Sequence, residues 1–210
     1  MAQIKINPPN ASSFYARRLK RALDVAAASA ALVTFSPVLL IIACCIRMES
    51  RGPIFFQQKR VGVNHSYFYI NKFRTMYTDA PKDTPTHLLN NPERYITKCG
   101  RFLRAASLDE LPQLLNILVG DMSFVGPRPA LWNQDNLVEL REANGSNAVR
   151  PGLTGLAQVN GRDELPIAEK ARLDGDYAAN ISFRLDIHCC VMTLRAVFRG
   201  SGYKEGGSGG

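Results

Sequence analysis

The chain has 210 residues, which is enough to bury a hydrophobic core within a single domain. Its 26 basic and 18 acidic residues give a formal net charge of +8, which favours anionic partners such as lipid head groups, phosphorylated substrates or nucleic acid. The five cysteines, two adjacent pairs and one single, exclude a C-x-x-C metal site and an even disulfide framework; they indicate buried thiols in a reducing compartment.

The longest apolar stretch lies near the start of the chain, at residues 22–46. At about 1.5 Å per residue, a helix over this stretch is long enough to cross a bilayer. No small-residue cleavage motif follows it, so the pattern is not that of a signal peptide. A single membrane-spanning helix is one interpretation. Asp24, inside the stretch, is expected to pair with Lys20 or Arg21 at the helix entrance.

A second interpretation is a helical hairpin that enters and leaves the membrane on the same face. Pro37, which follows Ser36 near the middle of the stretch, lacks a backbone N–H and predicts a break there. Basic residues flank both ends, and the positive-inside rule disfavours placing either cluster outside the cytoplasm. Each half would be roughly 20 Å long, too short to cross. The residues alone leave both topologies open.

The remainder of the chain predicts an α+β, helix-rich fold. Residues 53–76 predict a β-hairpin around a turn at Gly62–Asn64, and residues 77–95, dense in Pro, Asn and Asp, indicate a loop. The other predicted elements are helices, at residues 97–106, 111–119, 130–143, 165–180 and 183–198. The last of these has apolar side chains at three- and four-residue spacing, which is typical of an amphipathic helix on a core or on a membrane surface.

The segment "SLDELPQ" carries two adjacent carboxylates, Asp109 and Glu110. One interpretation is a capping box, in which Ser107 caps a helix and Glu110 reaches back to it. Pro112 follows too closely for a regular helix that starts at Ser107, so the turn is expected to be irregular or the helix to begin near Pro112. In that case the pair is available for chemistry.

Cations recur in stiff or glycine-rich segments around this pair. Each cation alone is typical of a solvated surface, but prolines beside Arg128 and Arg150 stiffen the backbone, which suits binding of phosphate by a guanidinium group. Carboxylates, rigid arginines and glycine-rich turns together favour phosphoryl chemistry with a divalent ion. The candidate cations are Lys72, Arg74, Arg104, Arg128, Arg150 and Arg162.

Several motifs in order resemble the bacterial sugar transferases, the small monotopic phosphoglycosyl transferases. The motifs are "KRALD", the apolar run with Ser36-Pro37, "KFRTM", "SLDELPQLLNILVGDMSFVGPRP" and "VRPGLTGLAQVNGR", and the resemblance covers about residues 15–200. It implies transfer of a sugar-1-phosphate from a UDP-sugar to polyprenol (undecaprenyl) phosphate, with release of UMP, as the first membrane step of a glycan such as capsule, lipopolysaccharide or exopolysaccharide. It also implies a re-entrant membrane helix broken at Ser36-Pro37.

The resemblance further implies roles for individual residues. Asp109 would attack the sugar-bearing phosphorus and form a covalent phosphosugar intermediate, while Glu110 would deprotonate the lipid phosphate or assist a metal site. Mg²⁺ held at Asp109 and Glu110 would offset charge on the diphosphate. Four cations are implied to bind the substrate phosphates: Arg104, Arg128, Arg150 and Lys72.

The implied organisation is an N-terminal extension (1–14), a re-entrant helix-break-helix (15–48), a cytoplasmic catalytic domain (49–203) and a Gly/Ser-rich tail (204–210). We expect the protein to lie on the cytoplasmic face of a bacterial inner membrane, in contact with membrane lipid, with downstream glycosyltransferases as partners and a homodimer as a possible assembly. The alternatives are a membrane-bound nucleotide-sugar phosphohydrolase and a non-enzymatic basic membrane scaffold. No nucleic-acid-binding signature is present, so nucleic acid is not an expected partner.

Overall fold

The computed structural model of the chain describes residues 14–81, 91–161 and 165–198. Its longest element is helix α1, Lys20–Glu49, which follows one π-helical turn at Tyr15–Leu19. Helix α1 continues through Ser36-Pro37, so the chain does not divide into two separate helices there, and its re-entrant course in a membrane stays a prediction. By length and composition, α1 is the one helix of the described residues that could cross a membrane.

The Ser-Pro pair is accommodated by one side-chain hydrogen bond. Pro37 lacks the N–H that a helix would direct to the carbonyl of Val33, four residues earlier. The hydroxyl of Ser36 donates to that carbonyl instead, at 2.8 Å. One side-chain hydrogen bond therefore replaces the missing backbone hydrogen bond, and the helix continues.

The other described elements are six helices and four strands. The helices are α2 (Lys98–Ala105), α3 (Gln113–Val119), α4 (Asp135–Ala143), α5 (Leu156–Val159), α6 (Ile167–Ala179) and α7 (Phe183–Phe198). The strands are β1 (Phe55–Val61), β2 (Tyr67–Phe73), β3 (Ser123–Val125) and β4 (Gly152–Thr154). This confirms the α+β, helix-rich fold.

The predicted hairpin is present as the antiparallel pair β1–β2. Phe55 lies opposite Phe73, and Val61 lies opposite Tyr67. The connecting turn places Asn64 at a φ of 49°, a left-handed conformation that asparagine adopts more readily than most residues. The hairpin therefore begins and ends close to where the alternating pattern predicted.

A second, parallel pair of strands was missed by the sequence analysis. Ser123 of β3 lies opposite Gly152 of β4, and Val125 lies opposite Thr154. Three-residue strands are too short to show an alternating pattern. The signal available in the sequence was the glycine at position 152. A Cβ there would lie 2.1 Å from the backbone nitrogen of Gly126, which follows β3. Close approach of two backbones explains the glycine there.

Helix α1 has a narrow inner face and a wide, apolar outer face. Ala28 is fully buried and packs against side chains of β2 and α3, and Ile42 and Ile46 pack against Phe73 and Leu103. The outer face carries exposed apolar side chains: Leu23, Val33, Phe35, Val38, Leu40, Ile41 and Met48. Water does not favour such a surface, which indicates an apolar environment around it.

Polar contacts hold the N-terminal end of α1 to the rest of the protein. Lys20 donates to the carboxylate of Asp186 on α7 at 2.6 Å, and Arg21 donates to two backbone carbonyls at the end of α3. Asp24 accepts a hydrogen bond from the backbone N–H of Phe124 at 3.1 Å. Asp24 therefore anchors the helix entrance, but the expected pairing with Lys20 or Arg21 is wrong because a backbone group and not a cation satisfies it.

The C-terminal end of α1 is held by the same domain. The carboxylate of Glu49 accepts hydrogen bonds from the first two N–H groups of α2, those of Lys98 at 2.7 Å and Cys99 at 2.9 Å. Arg74, just after β2, donates to the backbone carbonyls of Ser50 and Arg51, each at 2.8 Å. Both ends of α1 thus contact one domain.

Two further sequence predictions need correction. Helix α4 begins at Asp135 and not at residue 130, because Leu131 forms a β-bridge with Arg60 of the hairpin. All five cysteines are free, but Cys189 alone is buried, and Cys44 and Cys45 lie on the exposed face of α1. The prediction of buried thiols failed there because no other element of the described chain covers that face.

The predicted loop at 77–95 is only partly described. Its visible ends contain a bridge between Met76 and Ile96 and a 3-10 turn at Pro92–Arg94. Arg162, one of the candidate cations, lies outside the described residues, as do the chain ends before residue 14 and after residue 198.

The pairing of Arg141 on α4 with Asp174 on α6 gives a test of the packing between these helices. The Arg141 guanidinium donates twice to one Asp174 oxygen, at 2.9 and 2.6 Å, and both side chains are buried. We expect Arg141→Ala to destabilise the fold by about 3–5 kcal/mol, because it leaves a buried carboxylate unpaired. Thermal unfolding should show a midpoint lower by about 10 °C.

The matched control is Arg172→Ala, which removes an exposed ion pair on α6. Exposed pairs contribute little to stability, so the midpoint should hardly move. Equal shifts for the two variants would contradict the assignment of Arg141 and Asp174 as the stabilising contact.

Candidate active site

The acidic pair lies on a single 3-10 turn, Leu108–Glu110, between α2 and α3. Ser107 precedes the turn with φ 56° and ψ 20°, a left-handed conformation that redirects the chain as α2 ends. Leu108 and Leu111 pack against the side-chain cluster that contains Ile42 and Ile46 of α1. The turn is therefore seated on the C-terminal half of α1.

The capping-box interpretation of this segment is wrong. Ser107 makes no side-chain capping hydrogen bond, and its left-handed backbone differs from the extended conformation of a usual N-cap. Glu110 turns toward cations instead of back toward Ser107. As expected from Pro112, the regular helix begins only after it, at Gln113.

Glu110 joins three segments of the chain through one oxygen. Its Oε1 accepts from the ammonium of Lys72 at 2.7 Å and from the guanidinium of Arg128 at 3.1 Å. Lys72 lies near the end of β2, and Arg128 follows β3 between two prolines. Because the Glu110 side chain is only 22% exposed, water screens these ion pairs less than on an open surface.

A third cation, Arg104, comes from the last turn of α2. Its Nε donates to the hydroxyl of Thr75 at 2.8 Å, which orients the guanidinium. Arg104, Lys72 and Arg128 each act on the charge of Asp109. Three of the four predicted phosphate-binding cations therefore surround the acidic pair.

The environment drives the pKa values of the two carboxyls apart. Burial raises the pKa of Asp109, and the neighbouring charge of Glu110 adds to the rise; Lys72 opposes it without cancelling it. Burial alone would also raise the pKa of Glu110, but its ion pairs with Lys72 and Arg128 outweigh burial and hold its pKa well below the ordinary range. Neighbours with divergent pKa values are typical of carboxyls with different roles.

Asp109 differs from Glu110 in its hydrogen bonding as well. Within the described residues the Asp109 side chain makes no hydrogen bond, whereas Glu110 makes two. A carboxylate with unengaged oxygens can attack an electrophile or bind a cation. The described part of the chain has no cluster of three or more His, Cys, Asp or Glu, so a metal here would take most of its ligands from a bound substrate.

Arg150 does not join this constellation. Its Nε donates to the backbone carbonyl of Gly120 at 3.1 Å, and it lines a separate cleft beside the N-terminal part of α1. The structure thus places Arg150 apart from the cations around Asp109, and its predicted role in binding a phosphate stays a prediction. Proline next to Arg150 does stiffen its backbone, but rigidity alone does not determine which site a side chain faces.

The sequence analysis also missed a residue that supports the site. Asn116, buried in the middle of α3, accepts from the backbone N–H of Asn71 at 2.9 Å and donates to the carbonyl of Tyr69 at 2.8 Å. These bonds clamp β2, which carries Lys72, to α3, which follows Glu110. An asparagine within the apolar run "LLNILV" was the available signal, since buried amides need polar partners.

Comparison with known proteins agrees with these motifs. The bacterial sugar transferase family matches residues 15–200. The chain is 41% identical over 187 residues to "Uncharacterized sugar transferase EpsL" of Bacillus subtilis, covering 89% of this chain and 91% of that protein. It is 38% identical to "Exopolysaccharide production protein ExoY" of Rhizobium meliloti, covering 85% and 84%.

A third relative is longer. The chain is 40% identical to "UDP-glucose:undecaprenyl-phosphate glucose-1-phosphate transferase" of Escherichia coli, over 88% of this chain but 40% of that protein. The chain thus spans nearly the full length of the two shorter relatives and less than half of this one.

The divergent pKa values can be tested directly. We expect Lys72→Met to raise the pKa of Asp109 further, because loss of the ammonium removes a charge that favours the carboxylate. Glu110→Gln should lower the pKa of Asp109, because it removes a like charge. Titration of ¹³C-labelled aspartate carboxyls by NMR measures both shifts.

Arg150→Gln is the control in this experiment, since it removes a cation that lies in a separate cleft. It should leave the Asp109 titration in place. Shifts of the same sign in Lys72→Met and Glu110→Gln would contradict the proposed electrostatic arrangement.

Proposed function

The chain belongs to the bacterial sugar transferase family, and on this premise we propose that it transfers a sugar-1-phosphate from a UDP-sugar to undecaprenyl phosphate and releases UMP. UDP-glucose is the first donor to test, because relatives that share the matched region carry it in their names.

The observation that carries the proposal is the unengaged carboxylate of Asp109 among three cations. A UDP-sugar brings a diphosphate with negative charge on both phosphates. Lys72, Arg104 and Arg128 can offset that charge and let a carboxylate approach the phosphorus. Without them, repulsion between the carboxylate and the diphosphate would oppose attack.

In the first step, an Asp109 oxygen attacks the sugar-bearing phosphorus. A bond forms between this oxygen and the phosphorus, the bond from the phosphorus to the bridging oxygen breaks, and UMP leaves with the electron pair. The raised pKa of Asp109 favours this role, because a more basic carboxylate is a better nucleophile when it is ionised. The product is a phosphosugar attached to Asp109.

In the second step, a phosphate oxygen of undecaprenyl phosphate attacks the same phosphorus. The bond to Asp109 breaks, and the carboxylate is restored. A phosphate monoester is largely ionised near neutral pH, since its second pKa is about 6, so this step needs no strong base. Glu110, whose pKa is held low, is a poor base, and its role in our proposal is to position Lys72 and Arg128.

We propose that Asp109 and Glu110 hold Mg²⁺ together with the substrate phosphates. Carboxylate oxygens are preferred magnesium ligands, and Asp109 has oxygens without a partner in the described chain, with Glu110 beside it. Bound there together with the substrate phosphates, Mg²⁺ would offset charge on the diphosphate and on the leaving UMP. The protein's own cations provide the fixed part of that compensation.

The placement of α1 supports a monotopic arrangement on the cytoplasmic face. One end of α1 is bound through Lys20, Arg21 and Asp24, and the other through Glu49, all to the same domain. A helix that crossed the bilayer would separate its two ends by about 30 Å of hydrocarbon. We therefore propose that α1 enters and leaves on one face despite its continuous helical backbone.

Helix α7 supports the same placement. Its outer face carries an exposed apolar stripe, Phe183, Ile187, Val191 and Leu194, at helical spacing, whereas Asp186 and Cys189 face the interior. A stripe of this kind suits the boundary between lipid head groups and acyl chains. Lying at that depth would bring Asp109 within reach of a lipid phosphate.

The reaction can be tested with purified full-length protein, undecaprenyl phosphate, Mg²⁺ and a panel of UDP-sugars. We expect UMP release with at least one donor, and a loss of at least about a thousandfold in Asp109→Asn, because an amide cannot act as the nucleophile. Asp135→Asn, an exposed aspartate on α4, is the matched control and should retain activity.

The covalent route has its own signature. Without lipid, labelled UMP should exchange into UDP-sugar, since the first step alone is reversible. Absence of exchange would favour direct transfer between the substrates. If the protein releases free sugar-1-phosphate without lipid, and does so as fast as it turns over with lipid, the protein is a hydrolase and not a transferase.

The topology can be tested by labelling. In a protein whose five native cysteines are replaced by alanine, Arg18→Cys and Arg51→Cys place single thiols at exposed positions beside the two ends of α1. A membrane-impermeant maleimide should label both from the cytoplasmic side of inverted vesicles and neither from outside intact spheroplasts. Labelling of the two positions from opposite sides would establish a spanning helix.

A further inference from the structure

A cleft of about 600 Å³ lies away from the acidic pair, at the opposite end of β2 and α3. Lys72 and Glu110 meet where β2 ends and α3 is about to begin. The cleft is lined by Phe68 at the start of β2 and by Gly120 just after α3. The buried Asn116 clamp lies between the two places, so protein fills the direct path from one to the other.

The cleft contains a buried hydroxyl without a partner. Ser123 of β3 is 1% exposed and lines the cleft, and its Oγ has no hydrogen-bond partner among the described residues. Its backbone is satisfied, because its N–H donates to the carbonyl of Pro151 at 2.9 Å. An unsatisfied buried hydroxyl is destabilising unless a ligand or water completes it. Ser123 therefore offers an open hydrogen-bonding group at the wall of the cleft.

Two arginines stand at the same cleft. In Arg21, both terminal nitrogens of the guanidinium donate hydrogen bonds to backbone carbonyls at the end of α3. Arg150 uses only its Nε, on the carbonyl of Gly120, and its terminal N–H groups have no acceptor within the described chain. The contacts of Arg21 are those of a side chain that caps the C-terminus of a helix. Arg150 makes only one such contact, so most of its guanidinium N–H groups are free for an anion.

Two carboxylates also line the cleft, and each is held by a neutral N–H donor. Asp24 is engaged by the backbone N–H of Phe124, and Asp121 accepts from the amide of Asn116 at 3.2 Å. Lys20, also at the cleft, is neutralised by Asp186. Asp24 and Asp121 keep their negative charges, and Arg150 is the cleft cation whose terminal N–H groups have no acceptor among the described residues.

The rest of the lining is apolar and continuous with the membrane anchor. Ala16, Phe68, Val149 and Ile181 form walls of the cleft. Ala16 belongs to the helical turn that leads into α1, and the neighbouring side chains Leu19 and Leu23 are 41% exposed on the outside. An apolar chain that enters from the bilayer could follow this surface into the cleft.

We propose that the cleft is a second ligand site, which binds a phosphate group carried on an apolar chain. Arg150 and the hydroxyl of Ser123 would hold the phosphate, and the apolar walls would hold the first part of the chain. The site is separate from Asp109 and takes no part in bond making or breaking. It does not depend on the proposed reaction, because the binding can be measured without turnover.

Isothermal titration of the full chain in detergent tests the ligand chemistry. The probes are geranyl phosphate, geraniol and inorganic phosphate, with saturating UMP present to occupy the reaction centre. We expect geranyl phosphate to bind at least about tenfold more tightly than either fragment, since it alone engages both parts of the cleft. Equal binding of inorganic phosphate or of geraniol would overturn the proposal.

Two substitutions and a matched control locate the binding. Ser123→Ala and Arg150→Gln should each weaken geranyl phosphate binding by about tenfold. Ser146→Ala is the control, because the Ser146 hydroxyl is equally buried and unpartnered but lines a different, smaller cavity. It should leave binding unchanged.

A purely structural role for Ser123 gives a different result. Removing an unsatisfied hydroxyl should leave the thermal midpoint unchanged or raise it, so loss of affinity in a fully folded Ser123→Ala protein reports the ligand. Unchanged affinity in that variant would overturn the proposal. Loss of binding in Lys72→Met with full binding in Ser123→Ala would assign the ligand to the reaction centre and also overturn it.

Discussion

A long apolar helix with polar contacts to one domain at both ends is the constraint on which the other features depend. Lys20, Arg21 and Asp24 hold one end, and Glu49 holds the other. Between them, Ala28, Ile42 and Ile46 pack against β2, α2 and α3. The turn that carries Asp109 and Glu110 packs on this helix through Leu108 and Leu111, so the position of the helix fixes the position of the acidic pair.

The two neighbouring carboxylates acquire different roles through their surroundings. A left-handed Ser107 and a short 3-10 turn place them on an irregular segment, where each can face different partners. Glu110 meets Lys72 and Arg128, while the half-buried Asp109 keeps its oxygens free of hydrogen bonds within the described residues. Two carboxylates of similar chemistry thus become one paired, ionised group and one with free oxygens, because local backbone geometry and not residue type decides which carboxylate is paired.

Local patterns predicted the features that depend on local interactions. The hairpin, α2, α3 and the acidic pair were visible because alternation, helical spacing and the Pro112 boundary are properties of neighbouring residues. The errors concern distant contacts. The position of Arg150 depends on the carbonyl of Gly120, thirty residues away, and no spacing rule reports it.

The break predicted at Pro37 illustrates the same limit on a smaller scale. The rule that proline interrupts a helix is about the missing hydrogen bond, and the Ser36 hydroxyl supplies another. Strands β3 and β4 were missed because three residues carry too little pattern, although the glycines that let their backbones meet were visible. For β3 and β4 the deciding partner lay far along the chain, whereas for Pro37 it was the adjacent Ser36, whose hydrogen bond the proline rule leaves out.

The hydrogen bonds from α2 to Glu49 have a mechanical consequence. Helix α2 is only eight residues long, about 12 Å, and Glu49 holds its first N–H groups while Arg104 lies in its last turn. Helix α2 therefore links the C-terminal end of α1 directly to Arg104. If the end of α1 were displaced, a helix this short would move Arg104 with it and so would change the charge close to Asp109.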